Sequence, residues 1–206
     1  MVEHRETRGR AKAWKAWNAW KARKAGRGRM EEILRGDESC QLAHALLLRS
    51  EDSRNKDELL RYGVSLLIGL LGAGTDSSTT SNALTALQNI CDFDQASQHE
   101  VVHKGVIAAI ANLLNSPWVF PLHHGNSAQL LSIAMDFVVC LCITHTTAME
   151  FVRNGVAERL VWLLNMCYQT TGWKADSETE EVLWALARIL NEGALSKSPR
   201  RHLVLS

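Results

Sequence analysis

The sequence predicts an all-α protein in which three to four helical repeats stack into a solenoid behind a basic helical N-terminal arm. Three observations support this fold class. Apolar residues recur at helical spacing, a glycine-centred segment occurs three times, and charge divides unevenly along the chain. With 206 residues, 46% of them hydrophobic and 22% charged, the chain has enough apolar material for one core.

The repeated segment is an apolar pair, two polar-leaning residues, a glycine, a valine and an apolar helix that ends in Leu-Leu. Its glycines are Gly63, Gly105 and Gly155, which are 42 and 50 residues apart. Glycine adopts the left-handed backbone conformation at low cost, and helices often end in that conformation. We therefore expect a short helix to end at each glycine and a second helix to leave at a steep angle.

A longer helix is predicted after each glycine segment, because apolar residues there are three and four positions apart. The spacing predicts these third helices over residues 79–92, 127–143 and 178–190. No stretch alternates between apolar and polar residues as a half-buried strand does. The expected organisation is an arm over 1–29, a partial repeat over 30–56, repeats over 57–97, 98–147 and 148–193, and a disordered tail over 194–206.

The helix order and the Gly-Val start of the second helix resemble the armadillo repeat over residues 57–193. A basic arm, a short first repeat beginning near Met30 and then successive repeats are also similar to the start of the importin alpha family of nuclear import adaptors. The resemblance implies an armadillo-type right-handed α-solenoid. In such a solenoid the third helices line a concave groove that binds extended peptides.

The third-helix patterns indicate candidate groove residues. The segment 84–90 matches the family pattern in which an Asn lines the groove, and the segment 183–189 matches its Trp position. The middle repeat is aligned at 137–143 and offers a Val and a Cys. The resemblance implies amide contacts from Asn89, aromatic packing on Trp184 and, at Arg188, a bias against uniformly basic peptides. The full set of candidate groove residues is Thr85, Asn89, Val138, Cys142, Trp184 and Arg188.

The N-terminal arm is the strongly basic part of the chain. Residues 1–29 hold ten Lys and Arg against two acids, whereas residues 30–206 have a net charge of −7. Three Trp spaced three apart form one stripe on a helix, which we expect to contact a partner. The candidate partner-binding residues are Arg8, Arg10, Lys12, Trp14, Lys15, Trp17, Trp20, Lys21, Arg23, Lys24, Arg27 and Arg29.

Four roles for the arm stay open. It caps the first repeat, or it binds an importin-beta-like protein as the resemblance implies. Alternatively it contacts nucleic acid by neutralising phosphates and stacking on bases, although the acidic body disfavours a polyanion. The fourth role is interfacial membrane binding through Trp and Lys.

The segment 99–103 reads His-Glu-Val-Val-His and matches the short HExxH zinc motif. The glycine repeat already accounts for Val101 and Val102, and Gly105 is predicted to end the helix just after the second His. A third ligand at the usual spacing is also missing. We therefore expect solvent-facing side chains for His99 and His103, no metal and no cofactor, and keep a zinc hydrolase as a minor alternative.

The sequence as a whole favours a non-enzymatic protein-binding adaptor or scaffold, with importin-alpha-like nuclear import as its specific form. Five Cys inside apolar patterns point to a reducing, intracellular compartment, and we expect the cytoplasm, the nucleus or both. No apolar run is long enough to span a membrane. The main alternative is a fixed structural subunit of a larger ribonucleoprotein or organellar assembly, anchored by the arm.

Overall fold

The computed structural model describes residues 37–72, 76–116, 125–171 and 177–195, and the regular structure in those ranges is helical. A 3₁₀ turn (Ser53–Asn55), an α turn (Lys56–Glu58) and a π-helical turn (Leu59–Gly63) lie between α1 and α2. The α-helices are α1 (Asp37–Ser50), α2 (Val64–Gly72), α3 (Ser77–Cys91), α4 (Gln95–His103), α5 (Val106–Leu114), α6 (Gly125–Leu141), α7 (His145–Arg153), α8 (Val156–Thr171) and α9 (Ser177–Leu195). The predicted arm over 1–29 lies outside the described residues.

After α1, the helices follow one another as three triplets, each of which ends in its longest helix. The first triplet consists of the turns 53–63, α2 and α3, the second of α4, α5 and α6, and the third of α7, α8 and α9. The third helices α1, α3, α6 and α9 pack side by side in chain order, and the second helices α2, α5 and α8 do the same. This confirms the predicted all-α solenoid.

Two of the three repeat glycines have the predicted left-handed backbone. Gly105 has a φ of 89° and Gly155 a φ of 74°. The amide of Gly105 donates to the carbonyl of Val102 at 2.9 Å, and that of Gly155 donates to Val152 at 3.0 Å, which closes the end of each short helix. The second helix of each repeat then begins at the following residue.

The prediction of a helix stop at Gly63 is wrong. The π-helical turn passes directly into α2, and Val64 keeps a right-handed helical φ of −58°. A Cβ at Gly63 would lie 3.0 Å from Cδ2 of Leu59 and 3.5 Å from Cδ2 of Leu46. Glycine at this position therefore leaves room for the Leu59 side chain of the same turn and does not change the chain direction.

The third helices share one burial register. Residues 80, 83 and 86 of α3 are buried. The equivalent residues of the other third helices are also buried, namely 39, 42 and 45 in α1, 131, 134 and 137 in α6, and 179, 182 and 185 in α9. Each of these helices thus buries the same side, as a helical period requires. The resulting core includes Phe137 and Phe151, both fully buried. The last third helix reaches Leu195, farther than the predicted end at 190.

Polar contacts also join neighbouring repeats. Lys56 and the carboxylate of Asp94 form an ion pair between the first and second triplets. In the next pair of repeats, Nε of Arg159 donates to the carbonyl of Leu114 at 2.8 Å, and the guanidinium lies 3.8 Å from the ring centroid of Trp162. Arg159 therefore satisfies a carbonyl at the C-terminal end of α5.

Gly105→Ala should destabilise the protein, because alanine is strained at a positive φ, even though a Cβ there meets no atom within 4 Å. We expect a loss of about 1–2 kcal/mol in the free energy of unfolding, measured by urea denaturation. Gly193→Ala is the matched control, since Gly193 lies inside α9 and a Cβ there also meets nothing within 4 Å. The control should gain about 0.5–1 kcal/mol. Equal effects at the two positions would contradict the assignment.

The Asp94 carboxylate should make stability pH-dependent in acid. Its bond to Lys56, with further bonds from the amide and hydroxyl of Ser97 at 2.8 Å each, lowers its pKa to about 2. The unfolded value is near 4, so the folded state favours the charged form. The stabilisation is full above about pH 5 and is lost as the pH falls towards 2. Denaturation curves of wild type and Asp94→Asn should therefore converge over that range, and a pH-independent gap would contradict this assignment.

Candidate functional site

Because the third helices share this register, two solvent-side positions on each of α1, α3, α6 and α9 lie in one row. We call this row the third-helix face and define it by four pairs of residues, one pair on each of α1, α3, α6 and α9. His44, Asp136, Trp184 and Arg188 are exposed, whereas the other members are half-buried. The pairs, in helix order, are His44 and Leu48, Thr85 and Asn89, Asp136 and Cys140, and Trp184 and Arg188.

The pair on α3 is polar and partly occupied by neighbouring groups. The hydroxyl of Thr85 donates to the carbonyl of Ser81 at 3.0 Å. Nδ2 of Asn89 donates to Oγ of Ser50 on α1 at 3.0 Å, so this side chain connects two third helices. A carboxamide has two N–H donors and an acceptor oxygen, so one bond leaves capacity for a ligand.

In the middle repeat, the residues on the third-helix face lie two positions earlier in the chain than the sequence alignment predicted. Val138 and Cys142, the predicted groove residues of α6, are fully buried, so neither side chain lies on the third-helix face. Burial raises the pKa of Cys142 to about 11. The burial register places Asp136 and Cys140 at the positions equivalent to Thr85 and Asn89. The signal in the sequence was the single charged residue in an apolar helix, since an unpaired carboxylate does not enter a core.

The pair on α9 combines a free aromatic ring with a fixed guanidinium. Trp184 is 66% exposed, more than any other large hydrophobic residue in the described part of the chain. Nε of Arg188 donates to the carbonyl of Cys142 at 3.0 Å, and its terminal nitrogen lies 3.4 Å from the carboxylate of Glu192. Arg188 therefore links α9 to the end of α6, and Trp184 next to it is available to a ligand.

A cleft of about 390 Å³ opens between α3 and α6. Its lining is mainly hydroxyl and carboxamide groups, which donate and accept hydrogen bonds without carrying charge. One apolar side chain closes the side formed by α6. The lining residues are Ser77, Ser78, Ser81, Asn82, Gln129 and Leu130.

The two histidines of the HExxH segment lie on α4, and both are exposed. Glu100 between them pairs with Lys104 at 3.3 Å. Within the described ranges no three His, Cys, Asp or Glu side chains come together in a way that could hold a metal ion. In the same ranges, none of the helices has the length and apolar character needed to cross a membrane.

Residues 52–92 match the family model of the armadillo/beta-catenin-like repeat. The chain carries an armadillo-like repeat. The match covers the turns before α2, α2 itself and α3, and the next two triplets have the same helix order. The α-solenoid extends through the described part of the chain, and its first triplet is the part that matches the armadillo-like model.

Among solved structures, the chain is similar to the crystal structure of an engineered protein with 22% sequence identity and a TM-score of 0.56. The similarity covers 80% of this chain and 62% of that one. At this identity it supports the helical fold alone. No curated protein matches the chain significantly.

Trp184→Ala should have little effect on folding, because most of the ring is already in solvent. We expect the free energy of unfolding to change by no more than about 0.5 kcal/mol. Phe151→Ala is the comparison, since that ring is fully buried, and it should cost about 3–5 kcal/mol. Both changes in the free energy of unfolding are to be measured by urea denaturation. A large loss for Trp184→Ala would assign that ring to the core instead.

Proposed function

We propose that the third-helix face binds an extended segment of a partner protein, and that the protein is a non-enzymatic adaptor or scaffold. The observation that carries this proposal is the row of equivalent side chains on four stacked helices, with the exposed Trp184 on the last of them. Armadillo-like solenoids present such a surface to protein partners. Exposed aromatic side chains are frequent binding hot spots.

The spacing of the helices suits an extended chain. Packed helices lie about 8–10 Å apart, and an extended segment advances about 3.3 Å per residue. One repeat thus spans roughly three residues of ligand, and about six residues reach from α3 to α9. A segment of that length would contact the pairs on three helices at once.

The side chains predict which groups such a segment carries. Thr85 and Asn89 offer uncharged hydrogen bonding for a peptide backbone. Asp136 favours a donor or a cation in the middle of the segment. Trp184 favours an apolar or aromatic side chain at the α9 end, where Arg188 disfavours a further positive charge.

A peptide-display selection with random nine-residue segments tests the proposal. Segments selected on the wild-type protein should bind Trp184→Ala at least about tenfold more weakly, because that variant loses the aromatic contact. Arg153→Ala is the matched control. Arg153 is exposed on α7, the short first helix of the third triplet, and lies off the third-helix face. Equal binding to wild type and Trp184→Ala, or an equal loss for both variants, would contradict the proposal.

The specific form of this function is an importin-alpha-like import adaptor in the cytoplasm, the nucleus or both. The support is the resemblance of the repeat order and the basic composition of residues 1–29, which lie outside the described residues. In this form the arm binds an importin-beta-like protein, and the third-helix face binds the cargo segment. Deleting residues 1–29 would then remove the first interaction and leave the second.

A fixed subunit of a larger assembly is the second candidate, and one observation favours it. Val161, Leu183 and Leu190 are 54%, 44% and 56% exposed. Their counterparts Ala111, Leu84 and Cys91 in earlier repeats are buried. The α9 end therefore presents an uncovered apolar surface of the kind that assembly partners cover. For a fixed subunit, the display selection yields no segment, and the protein alone associates at high concentration.

A further inference from the structure

The cleft between α3 and α6 is a continuation of the third-helix face. On α3, its lining residue Ser81 lies one helical turn before Thr85. On α6, its lining residue Gln129 lies two turns before Asp136. Residues one or two turns apart lie on the same side of a helix. The cleft therefore opens beside the row of paired residues, towards the first turns of both helices.

The lining of the cleft is uncharged and free to bind. In the part of the chain that the structure describes, its three serines, Asn82 and Gln129 form no side-chain hydrogen bond with another protein group. Hydroxyl and carboxamide groups both donate and accept hydrogen bonds. A group that fills the cleft must therefore do both. It must also be neutral, because a charge that leaves water without a partner is costly.

A carboxylate just outside the lining adds to this selection. Asp76 directly precedes α3, and its two oxygens accept bonds from the amide and the hydroxyl of Thr79 at 2.8 Å each. The amide bond is the main cause that lowers the pKa of Asp76, so this group is charged at neutral pH. Its charge repels a carboxylate or phosphate that enters the cleft. Because Asp76 does not line the cleft, a cation there would have no contacting carboxylate.

One wall of the cleft is apolar. Leu130 is only 2% exposed, and it lines the side formed by α6. Aliphatic carbons that pack on this wall leave water, which favours binding. The cleft volume of about 390 Å³ is sufficient for a side chain together with the backbone next to it. The cleft thus suits a side chain with a short aliphatic stem and a neutral head that donates and accepts.

We propose that the cleft is a specificity pocket for a carboxamide side chain, glutamine in particular, of the segment that the third-helix face binds. This inference rests on the proposed function. Glutamine has two methylene groups for the wall at Leu130 and a head that matches the serine, Asn82 and Gln129 groups. Ser81 is only about 6 Å along α3 from Thr85, so a long side chain from a segment over Thr85 reaches the cleft.

The position of the cleft predicts where the glutamine stands in the segment. The cleft lies between α3 and α6, about one and a half helix spacings from α9. Each spacing corresponds to roughly three residues of an extended chain. The glutamine should therefore lie about four or five residues from the apolar residue that packs on Trp184.

The display selection with random nine-residue segments tests this prediction on the wild-type protein. Selected segments should be enriched in glutamine or asparagine at that separation from an apolar residue. In a synthetic copy of a selected segment, replacing this glutamine by glutamate or by leucine should each weaken binding at least about tenfold. Glutamate introduces a charge of the wrong sign, and leucine leaves the polar lining without partners. Fluorescence anisotropy of the labelled segments measures both effects.

A protein variant tests the same contact from the other side. Gln129 is exposed, so Gln129→Ala should fold as the wild type does. It should bind the glutamine segment about three- to tenfold more weakly and the leucine segment without further loss, because the two substitutions remove the same contact. Gln95→Ala is the matched control. Gln95 is also an exposed helical glutamine, but it lies on α4 outside the cleft, and its replacement should leave binding unchanged.

The outcomes separate this proposal from the proposed function. Segments that depend on Trp184 but show no carboxamide preference, or carry a charged residue at that position, would overturn the pocket and leave the peptide-binding face intact. Equal binding of the glutamine and leucine segments would do the same. A selection that yields no segment would overturn both. Since the segment substitutions are measured on wild-type protein, the test does not depend on the folding of Gln129→Ala.

Discussion

The burial register of the third helices is the constraint on which the rest of the structure depends. Positions 83 and 86 of α3 are buried, and so are their equivalents in α1, α6 and α9. A shift of one helix by a single residue would rotate its apolar side by about 100° away from the core. Because all four helices keep the same register, the residues that remain outside fall into one row. The packing of the core thus determines which residues form the third-helix face.

The same register explains why charged and polar groups vary along the face while the core stays mainly apolar. Core side chains must fill the space between the helices, since packing errors are costly. Outside positions carry no such requirement, and the sequence uses an amide, a carboxylate, a thiol, an aromatic ring and a guanidinium there. Each repeat therefore contributes a different group to one surface. Asn89 and Arg188 also connect neighbouring third helices, because they donate hydrogen bonds to the hydroxyl of Ser50 and to the carbonyl of Cys142 respectively.

Much of this fold is predictable from the sequence, because glycine after a short apolar pair and a helical period are local signals. They predict the helix triplets and the corners at Gly105 and Gly155. They fail at Gly63, where the chain continues as a helix and a Cβ would come within 3.0 Å of the Leu59 side chain four residues earlier. The segment 137–143 is apolar throughout, so several registers fit it, and the choice depends on packing against α3 and α9.

Packing only between successive repeats has a consequence for folding. Each repeat of the described solenoid contacts chiefly the one before it and the one after it, so cohesion is a sum of local interfaces rather than one central cluster. Order can then begin in any repeat and spread to its neighbours. Within the described residues, the second triplet packs against both the first and the third, so opening it disrupts two interfaces. Its opening should therefore cost more free energy than the opening of a single interface between two repeats.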